Sequence, residues 1–284
     1  MTGPLDGIRV LDLTTMVSGP LATMMLADQG ADVIKIEPPR GDIMRHAGTR
    51  HRGMSASFLS CNRSKRSLCV DLKTDQGREI IHGLIPHMDV VVENYSPGAI
   101  QRLGFSYEEL KKLNPRLIMC SISALGQTGP LADVPGYDFI AQAYSGISEI
   151  IGERGGAPVM PMAAIGDVST GVHAFGAIAC ALLHRERTGE GQYIDVSLLD
   201  AYIHSHDFGI QSYSASGGKF IPTRNGSHHM GLAPCGIFDA RDGYVVIVGA
   251  LDHQWQGVTR AIGHPEFVED PRFRTNRDRV HHKQ

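Results

Sequence analysis

The 284-residue sequence lacks several patterns that identify common classes of protein. It contains five cysteines but no Cys-x-x-Cys pair, so neither a zinc motif nor a disulfide framework is indicated. Its 14 histidines include no His-Glu-x-x-His helix, and we therefore expect no metal site. The net charge of −3 argues against a general affinity for nucleic acid.

Long apolar runs and targeting signals are also missing. No apolar run approaches the roughly 20 residues that span a bilayer. The first residues, Met-Thr-Gly-Pro-Leu-Asp-Gly-Ile-Arg, have neither the basic nor the apolar part of a signal peptide. We therefore expect no membrane span and a cytoplasmic location. Hydrophobic residues make up 42% of the chain and charged residues 20%, as in ordinary folded proteins.

Short apolar runs alternate with helical patterns through the first half of the chain. The strand-like runs are residues 9–14, 32–37, 67–72, 89–93 and 117–122, and helical patterns lie between them. Apolar strands that alternate with helices indicate a parallel sheet covered on both faces. We therefore predict an α/β fold whose main domain is Rossmann-like, with helices on both faces of its sheet.

The pattern changes toward the C-terminal end. Residues 192–197 and 243–249 predict further strands, while residues 214–234 are rich in Gly, Ser, Asn and His, which favours a loop. We predict a large domain over residues 1–200, a linker over residues 201–225, and the start of a smaller α+β domain over residues 226–284.

The sequence lacks the motifs of two common classes of α/β enzyme, because the spacing of its residues differs from the spacing that each motif requires. The turn after the first strand, residues 14–20, has one glycine where a dinucleotide fingerprint needs three, which argues against a nicotinamide or flavin enzyme. A serine-hydrolase elbow needs a glycine two residues before the serine, but Gly166 lies three residues before Ser169. Neither activity is therefore predicted.

Asp167 is the candidate catalytic residue. It lies in Ala-Ile-Gly-Asp-Val-Ser-Thr-Gly, directly before a long run of small and apolar residues. A carboxylate in that position is either the N-cap of a helix or a catalytic group presented at a helix start. The local sequence by itself is compatible with both interpretations.

Basic residues are concentrated between positions 40 and 66. Asp42 is the only acidic residue in this stretch, whereas its basic residues are Arg40, Arg45, Arg50, Arg52, Arg63, Lys65 and Arg66. The stretch is either a solvated surface or a pocket for a compact molecule that carries phosphates.

Further segments match a known family in order along the chain. They are residues 11–14, 18–20, 26–42, 62–67, 91–98, 102–104, 114–116, 136–138, 166–167 and 188–192. Together these segments resemble the class III coenzyme A transferases, the group of formyl-CoA transferase and carnitine-CoA transferase. The resemblance covers essentially the whole chain.

The resemblance implies a transferase that uses Asp167 as its nucleophile. Asp167 would attack an acyl-CoA donor to form an aspartyl anhydride, then an aspartyl-CoA thioester, and a small carboxylic acid would accept the CoA. It also implies coenzyme A as a substrate, no permanently bound cofactor and an interlocked homodimer. Members usually continue with a long C-terminal segment, which this sequence does not reach, so a non-catalytic CoA-binding protein is a remote alternative.

The same resemblance implies a set of coenzyme A contacts. They are Val17, Ser18, Arg40, Val70, Asp71, Leu72, Lys73, Asn94, Tyr95, Ser96, Arg102, Pro135, Gly136, Tyr137 and Asp138. Two departures from the family pattern are visible. Val17 stands where formyl-CoA transferases carry a glutamine, and Pro38-Pro39 replaces part of a basic pair, so the acyl donor and the acceptor are not predicted.

A related branch, the 2-methylacyl-CoA racemases, is the alternative function. Those enzymes pair the aspartate with a histidine at the position that Tyr137 occupies here. Because a phenol has a pKa of about 10 in water, it is a poor second base near neutral pH. Tyr137 therefore favours transfer over racemisation.

Overall fold

The computed structural model describes residues 3–161, 163–206 and 208–283. The strands are β1 (Arg9–Asp12), β2 (Asp32–Glu37), β3 (Arg50–His51), β4 (Met54–Ser55), β5 (Arg66–Cys69), β6 (Val90–Glu93), β7 (Ile118–Ser123), β8 (Tyr193–Ser197), β9 (Cys235–Ala240) and β10 (Gly243–Val248). The α-helices are α1 (Ser18–Asp28), α2 (Ala56–Asn62), α3 (Asp75–Leu84), α4 (Ala99–Arg102), α5 (Tyr107–Leu113), α6 (Asp138–Ser145), α7 (Ile147–Ile150), α8 (Ile165–Thr188), α9 (Leu198–Ser205), α10 (Phe208–Ala215), α11 (Asp252–Ala261) and α12 (Asn276–His281).

Six strands form one parallel sheet in the order β5-β2-β1-β6-β7-β8. Strands β6 and β7 are buried along their whole length, as expected for central strands with helices on both faces. The predicted α/β class with a Rossmann-like parallel sheet is confirmed.

The strand order creates a crevice at the carboxyl ends of β1 and β6. The chain builds the sheet outward from β1 through β2 to β5, then returns and builds it in the other direction from β6 through β7 to β8. Connections on the two sides of this reversal diverge and leave a gap between them. Such a switch point is where open α/β sheets bind ligands.

Local signals explain where several helices begin and end. The Thr74 hydroxyl accepts a hydrogen bond from the Gly77 N–H at 3.0 Å and caps α3. Gly30 follows α1 with a φ of +103°, and Gly189 ends α8 with a φ of +80°. Glycine adopts this left-handed conformation with little strain, so both residues are suited to the ends of their helices.

Helix α8 is the longest of the described helices and carries Asp167 near its start. Its length and hydropathy are sufficient for a membrane span. In the structure, however, it packs against α1, α9 and strands β7 and β8. A Cβ atom at Gly171 would lie 2.8 Å from the Ser18 carbonyl oxygen, so the glycine allows α1 and α8 to approach closely. This close contact brings the starts of two helices together.

The chain divides into two compact units. The first comprises Met1–Ser145 and Pro161–Ser205, and the second comprises Gly146–Met160 and His206–Gln284. The second unit contains the antiparallel pair β9–β10 with α7, α10, α11 and α12. The expected linker over residues 201–225 differs from the structure, because it includes the end of α9 and all of α10. Serine, glycine and tyrosine in α10 have modest helix propensity, which explains why the pattern did not predict it.

Candidate active site

A cavity of about 530 Å³ opens at the carboxyl ends of the parallel strands, within the first unit. Its walls come from residues between 13 and 18, 36 and 43, 70 and 73, 94 and 97, and 122 and 125, which follow β1, β2, β5, β6 and β7. Leu103, Ala132, residues 134–137, Asp167 at the start of α8 and Leu198 complete the lining. A cavity of this size at this edge of the sheet is suited to a cofactor-sized molecule.

Most of the residues that the sequence suggested for the site meet at this cavity. Those that line it are Ser18, Arg40, Val70, Asp71, Leu72, Lys73, Asn94, Tyr95, Ser96, Pro135, Gly136, Tyr137 and Asp167. They come from six separate stretches of the chain and converge because the parallel strands all end at one edge of the sheet. Tyr137 is 73% exposed and lies at the rim.

The cavity lining does not include Val17, Arg102 or Asp138. Val17 precedes α1, and its carbonyl accepts the Leu21 N–H at 2.8 Å. Arg102 is an exposed residue of the short helix α4. Asp138 is buried at the start of α6, with only 6% of its surface exposed. These three are the members of the expected set that do not line the cavity, so their contact with coenzyme A stays a prediction.

Asp167 is the third residue of α8 and lines the cavity. The N-cap position belongs to Ala164, which has no side chain able to cap, so the N-cap interpretation of Asp167 is wrong. Asp167 thus lies in the first turn of the helix, where the N–H groups of residues 165–168 already have acceptors. The positive end of the helix dipole stabilises a negative charge there.

The pKa of the Asp167 carboxyl group is raised to about 6. Burial is the largest cause, and the nearby negative charge of Asp138 adds to it. Hydrogen bonds from the hydroxyl and the backbone N–H of Ser18 oppose the increase. Asp167 is therefore ionised at neutral pH but more basic than an ordinary aspartate, which increases its strength as a nucleophile.

Three helices meet behind Asp167 through Asp138 and Tyr202. The Tyr202 hydroxyl donates a hydrogen bond to Oδ1 of Asp138 and accepts one from the Gly166 N–H at 3.1 Å. The Asp167 N–H donates to Oδ2 of Asp138 at 3.4 Å. A Cβ atom at Gly166 would overlap both Asp138 and the Tyr202 ring, so only glycine fits there. We refer to Asp138, Asp167 and Tyr202 as the acidic junction.

The turn between β1 and α1 forms another wall of the cavity. Met16 lines it with a φ of +67°, a conformation that costs a non-glycine residue on the order of 1 kcal/mol. The Asn94 side chain holds this turn, because its Oδ1 accepts the Thr15 N–H and its Nδ2 donates to the Thr15 carbonyl, both at 2.8 Å. The Asn94 amide group is thus engaged with the protein backbone.

Beneath this turn lie six charged side chains, which we call the paired cluster: Asp12, Lys35, Glu37, Asp42, Arg45 and Lys65. Lys35 pairs with Asp42 at 2.9 Å and donates to the Thr14 carbonyl at 2.7 Å. Asp42 in turn accepts the Thr15 hydroxyl at 3.0 Å. Sequence reasoning missed Lys35, although a lysine in a buried strand requires a buried partner.

Acidic residues from elsewhere neutralise most of the basic stretch between positions 40 and 66. Arg45 makes two hydrogen bonds of 2.6 Å to Glu37, and Lys65 pairs with Asp12 at 2.9 Å. The other ion pairs are Arg63 with Asp28 and Arg66 with Asp32. The stretch as a whole is therefore not a phosphate pocket. In the described part of the chain, Arg40 and Lys73 line the cavity without an ion pair.

A further buried carboxylate lies beside the cavity wall. Glu93 ends β6, is only 1% exposed, and accepts the Tyr95 N–H at 2.8 Å. Burial raises the pKa of Glu93 to about 7, and the negative charge of Asp195 adds to the increase. Glu93 does not line the cavity, but it holds the backbone of Tyr95, which does.

Metal-binding chemistry finds no support in the described ranges. Across residues 3–161, 163–206 and 208–283, no three His, Cys, Asp or Glu side chains come together as a metal site. The part of the cavity lining that the structure describes contains no histidine either. The side chain that lies in the cavity at the start of α8 is the carboxylate of Asp167.

The comparison with known families decides which group of enzymes this site belongs to. The family model described as CoA-transferase family III matches residues 5–284. The chain belongs to CoA-transferase family III. The resemblance that the sequence motifs suggested is confirmed, and the homologues at about 40% identity are named as CoA-transferases.

Three relatives illustrate the similarity. The chain is 44% identical over 280 residues to acetyl-CoA:oxalate CoA-transferase of Acetobacter aceti, covering 98% of this chain and 72% of that protein. It is 41% identical to succinyl-CoA:glutarate CoA-transferase of Mus musculus, covering 99% and 64%. It is 40% identical to succinate–glutarate CoA-transferase of Agrobacterium fabrum, covering 99% and 72%. The chain thus spans about two thirds of the length of these relatives.

Solved structures show the same fold. A CAIB/BAIF family protein from Brucella suis has a TM-score of 0.87 and 39% identity, and covers 100% of this chain and 76% of its own. A protein from Mycobacterium tuberculosis, solved in an orthorhombic crystal form, has a TM-score of 0.89 and 33% identity, with coverages of 99% and 75%. The α/β architecture is thus shared with experimentally determined members and relatives of the family.

Proposed function

We propose that this chain transfers coenzyme A from an acyl-CoA thioester to a carboxylic acid, with Asp167 as the covalent nucleophile. The observation that carries the proposal is the position of Asp167, a carboxylate of raised pKa that lines the cavity at a helix start. The names of the relatives support the reaction type.

The proposed reaction proceeds through four exchanges at carbonyl carbons. An oxygen of Asp167 attacks the thioester carbonyl, and the C–S bond breaks to give an aspartyl anhydride and CoA thiolate. The thiolate attacks the aspartyl carbonyl, forming an aspartyl-CoA thioester and releasing the donor acid as a carboxylate. The acceptor carboxylate then displaces CoA thiolate to form a second anhydride. The thiolate attacks the acceptor carbonyl, which yields the new acyl-CoA and restores Asp167.

Every nucleophile and leaving group in this scheme is an anion, so no proton has to be moved. The site therefore needs groups that stabilise negative charge rather than a general base. The hydroxyl and N–H of Ser18 are hydrogen-bond donors beside the Asp167 carboxyl, and the positive end of the α8 dipole lies there as well. We propose that they stabilise the oxyanion that forms when that carboxyl group is attacked.

Arg40 and Lys73 are the proposed contacts for the phosphates of coenzyme A. Both line the cavity and neither has an ion pair with the described residues. A guanidinium and an ammonium group bind phosphate through charge-assisted hydrogen bonds. We expect Arg40→Gln to weaken binding of CoA by about tenfold, measured by calorimetry. Arg66→Gln is the control, because Arg66 already pairs with Asp32 at 2.5 Å; equal losses in the two variants would remove the assignment.

The proposed acceptors are small carboxylic acids. Oxalate and glutarate occur in the names of the relatives, and both are short dicarboxylic acids. We propose the same class for this chain and test it with a panel of such acids and acetyl-CoA or succinyl-CoA. Absence of CoA transfer to every acid of the panel would contradict this substrate class.

Racemisation is the alternative function, and a deuterium experiment tests it. The described cavity lining lacks a histidine that could act as a second base beside Asp167. We therefore expect no incorporation of deuterium at the α-carbon of a 2-methylacyl-CoA in deuterated buffer. Rapid incorporation that Asp167→Ala eliminates would place the chain among the racemases.

Trapping of the acylated enzyme tests the nucleophile directly. Incubation with an acyl-CoA and hydroxylamine should convert Asp167 to its hydroxamate, which mass spectrometry locates in the peptide that contains residues 164–171. Asp167→Ala should abolish both trapping and transfer, whereas Asp133→Asn, a change at an exposed acid outside the cavity, should leave both unchanged. A hydroxamate at another carboxylate would contradict the proposal.

The domain limits, the homodimer and the cytoplasmic location remain proposals. We propose that the second unit, with its β9–β10 hairpin, belongs to the smaller α+β domain expected from the sequence. Sedimentation of the purified chain tests the dimer, since a homodimer has twice the 30.8 kDa mass of one chain. A monomer at micromolar concentration would contradict it.

A further inference from the structure

A tyrosine behind the proposed nucleophile makes two hydrogen bonds that the reaction itself does not require. Tyr202 lies on α9 and is 2% exposed. Its hydroxyl donates to Asp138 on α6 and accepts the Gly166 N–H at the start of α8. A phenylalanine would fill the same volume without these bonds. The hydroxyl therefore connects three helices at the point where Asp167 enters the cavity.

The absence of a side chain at Gly166 is needed for this arrangement. A Cβ atom there would overlap Oδ1 of Asp138 and the Tyr202 ring. The close approach leaves the Asp138 carboxylate against the first turn of α8, with its Oδ2 atom 3.4 Å from the Asp167 backbone nitrogen. Asp138 is 6% exposed, so little water screens its charge from Asp167.

We propose that Tyr202 is a positioning residue for the nucleophile: its hydroxyl fixes the Asp138 carboxylate beside Asp167. This proposal rests on the role of Asp167 proposed above. A buried carboxylate without a cation needs hydrogen-bond donors to stay ionised. Tyr202 and the Asp167 N–H are the donors that the described structure provides to Asp138.

The consequence is a more basic Asp167. Its raised pKa of about 6 is due first to burial and second to the charge of Asp138. Loss of the Asp138 charge would therefore lower the pKa of Asp167 toward that of an ordinary aspartate. A less basic carboxylate is a weaker nucleophile toward a thioester.

Other ionisable groups on the elements around α8 do not contribute in the same way. The helices packed with α8 carry Asp28 on α1, Asp138 on α6, and Asp200, Tyr202 and His204 on α9, while α8 itself carries His173. Strands β7 and β8 carry Cys120, Tyr193 and Asp195. Among all of these, Asp138 supplies the charge that raises the pKa of Asp167.

The test compares Tyr202→Phe, Asp138→Asn and the double variant with the unchanged chain. In Tyr202→Phe, Asp138 loses its hydrogen-bond donor on α9, so its carboxylate is no longer fixed beside Asp167 and its charge acts less strongly on that residue. We expect the acid limb of the pH profile of kcat/KM to move to lower pH by about half a unit or more. Asp138→Asn should move it in the same direction, and the double variant should move it no further than Asp138→Asn alone.

Tyr107→Phe is the matched control for removal of a hydroxyl group. The Tyr107 hydroxyl is buried and has no hydrogen-bond partner in the described part of the chain. We expect Tyr107→Phe to leave the acid limb of the kcat/KM profile at the same pH. A merely structural role for Tyr202 would lower the rate of Tyr202→Phe without moving the acid limb of the kcat/KM profile. That result overturns the proposal. So does a limb that moves to higher pH, or an additive effect in the double variant.

A second readout separates this proposal from the proposed function. In a chain labelled with 13C at the aspartate carboxyl carbons, the Asp167 signal is identified by its loss in Asp167→Asn, and its titration is followed with pH. Tyr202→Phe should lower the midpoint even in the absence of any CoA substrate. If the unchanged chain transfers no CoA, the function fails while this titration still tests Tyr202. If Tyr202→Phe does not fold, Asp138→Asn alone must lower the midpoint, and an unchanged midpoint contradicts the proposal.

Discussion

Two buried groups of charged side chains in the first unit differ in how their charges are balanced. The paired cluster has three carboxylates and three cations, and every carboxylate has a cation within 2.9 Å. The acidic junction has two carboxylates, Asp138 and Asp167, and neither has a cationic partner among the described residues. Both groups lie at the same edge of the sheet, so their different balance depends on which side chains meet in each group rather than on position in the fold.

The pKa values follow this difference in balance. In the paired cluster, burial alone would raise the pKa of Glu37, but bonds from Arg45, Ser67 and the Asp42 N–H outweigh it and lower the pKa to about 2. In the acidic junction, burial and a like charge raise the pKa of Asp167 to about 6. The balanced charges thus hold the cavity wall in place, and the unbalanced ones include the proposed nucleophile.

Removal of one cation from the paired cluster should cause the largest loss of stability. Lys65 is buried and donates to Asp12, Asn62 and the Pro20 carbonyl at 2.8–2.9 Å. Lys65→Met leaves Asp12 buried without its partner, and we expect a loss of about 3–5 kcal/mol in the free energy of unfolding by urea.

The surface pair Lys112–Glu109 provides the control for that variant. Both of its side chains are more than half exposed, and their atoms are 3.3 Å apart. Lys112→Met should cost less than about 1 kcal/mol, because exposed ion pairs contribute little. Similar losses in Lys65→Met and Lys112→Met would show that the buried pairs are not what holds the cluster together.

Glu93 is another buried carboxylate, and its replacement should increase the stability of the folded chain. Its pKa is about 7 in the folded chain against 4.5 for an ordinary glutamate, mainly because of burial. Its contribution to stability is therefore fully present below pH 4.5 and lost as the pH rises through 7. Glu93→Gln has no charge to bury, so it should be more stable than the unchanged chain by about 1–3 kcal/mol above pH 7.

The pH dependence distinguishes this gain from a simple change in packing. The advantage of Glu93→Gln should grow as the pH rises from about 5 to about 8. Glu108→Gln, at an exposed glutamate of α5, should show no such growth. An advantage of Glu93→Gln that is the same at every pH would contradict a titrating, buried Glu93.

Asp167→Asn should also increase the free energy of unfolding, but by less than Glu93→Gln does. The pKa of Asp167 is raised from 3.8 to about 6, so its stabilising contribution is present below pH 3.8 and lost as the pH rises through 6. Because Asp167 is partly exposed to the cavity, we expect the variant to gain only about 1–2 kcal/mol above pH 6. The same variant should transfer no CoA. If Asp167→Asn is instead less stable in thermal and urea unfolding at pH 7, the ionised Asp167 does not destabilise the folded chain and this view is contradicted.

The sequence predicted the parts of this molecule that depend on local pattern. Apolar runs such as Val90–Glu93 predicted the buried parallel strands, and a carboxylate before a run of small residues predicted Asp167 at a helix start. The convergence of Ser18, Asn94 and Tyr137 on one cavity followed from the family motifs and from the geometry of parallel strands.

Contacts between residues far apart in the sequence could not be predicted in the same way. Lys65 and Asp12 are 53 positions apart, and Tyr202 and Asp138 are 64 positions apart. A single sequence shows neither pairing, so the basic stretch looked like an excess of positive charge. For the same reason the sequence does not show that Asp138 lies against Tyr202 and the start of α8.

The most direct test is the titration of Asp167 itself in the unchanged chain. With 13C at the aspartate carboxyl carbons and the signal assigned by its loss in Asp167→Asn, the chemical shift is followed across the acid range. An unbalanced, partly buried Asp167 should titrate with a midpoint near pH 6. A midpoint near 3.8, the ordinary value of an aspartate, would contradict the claim that burial and Asp138 make this carboxylate the reactive group of the site.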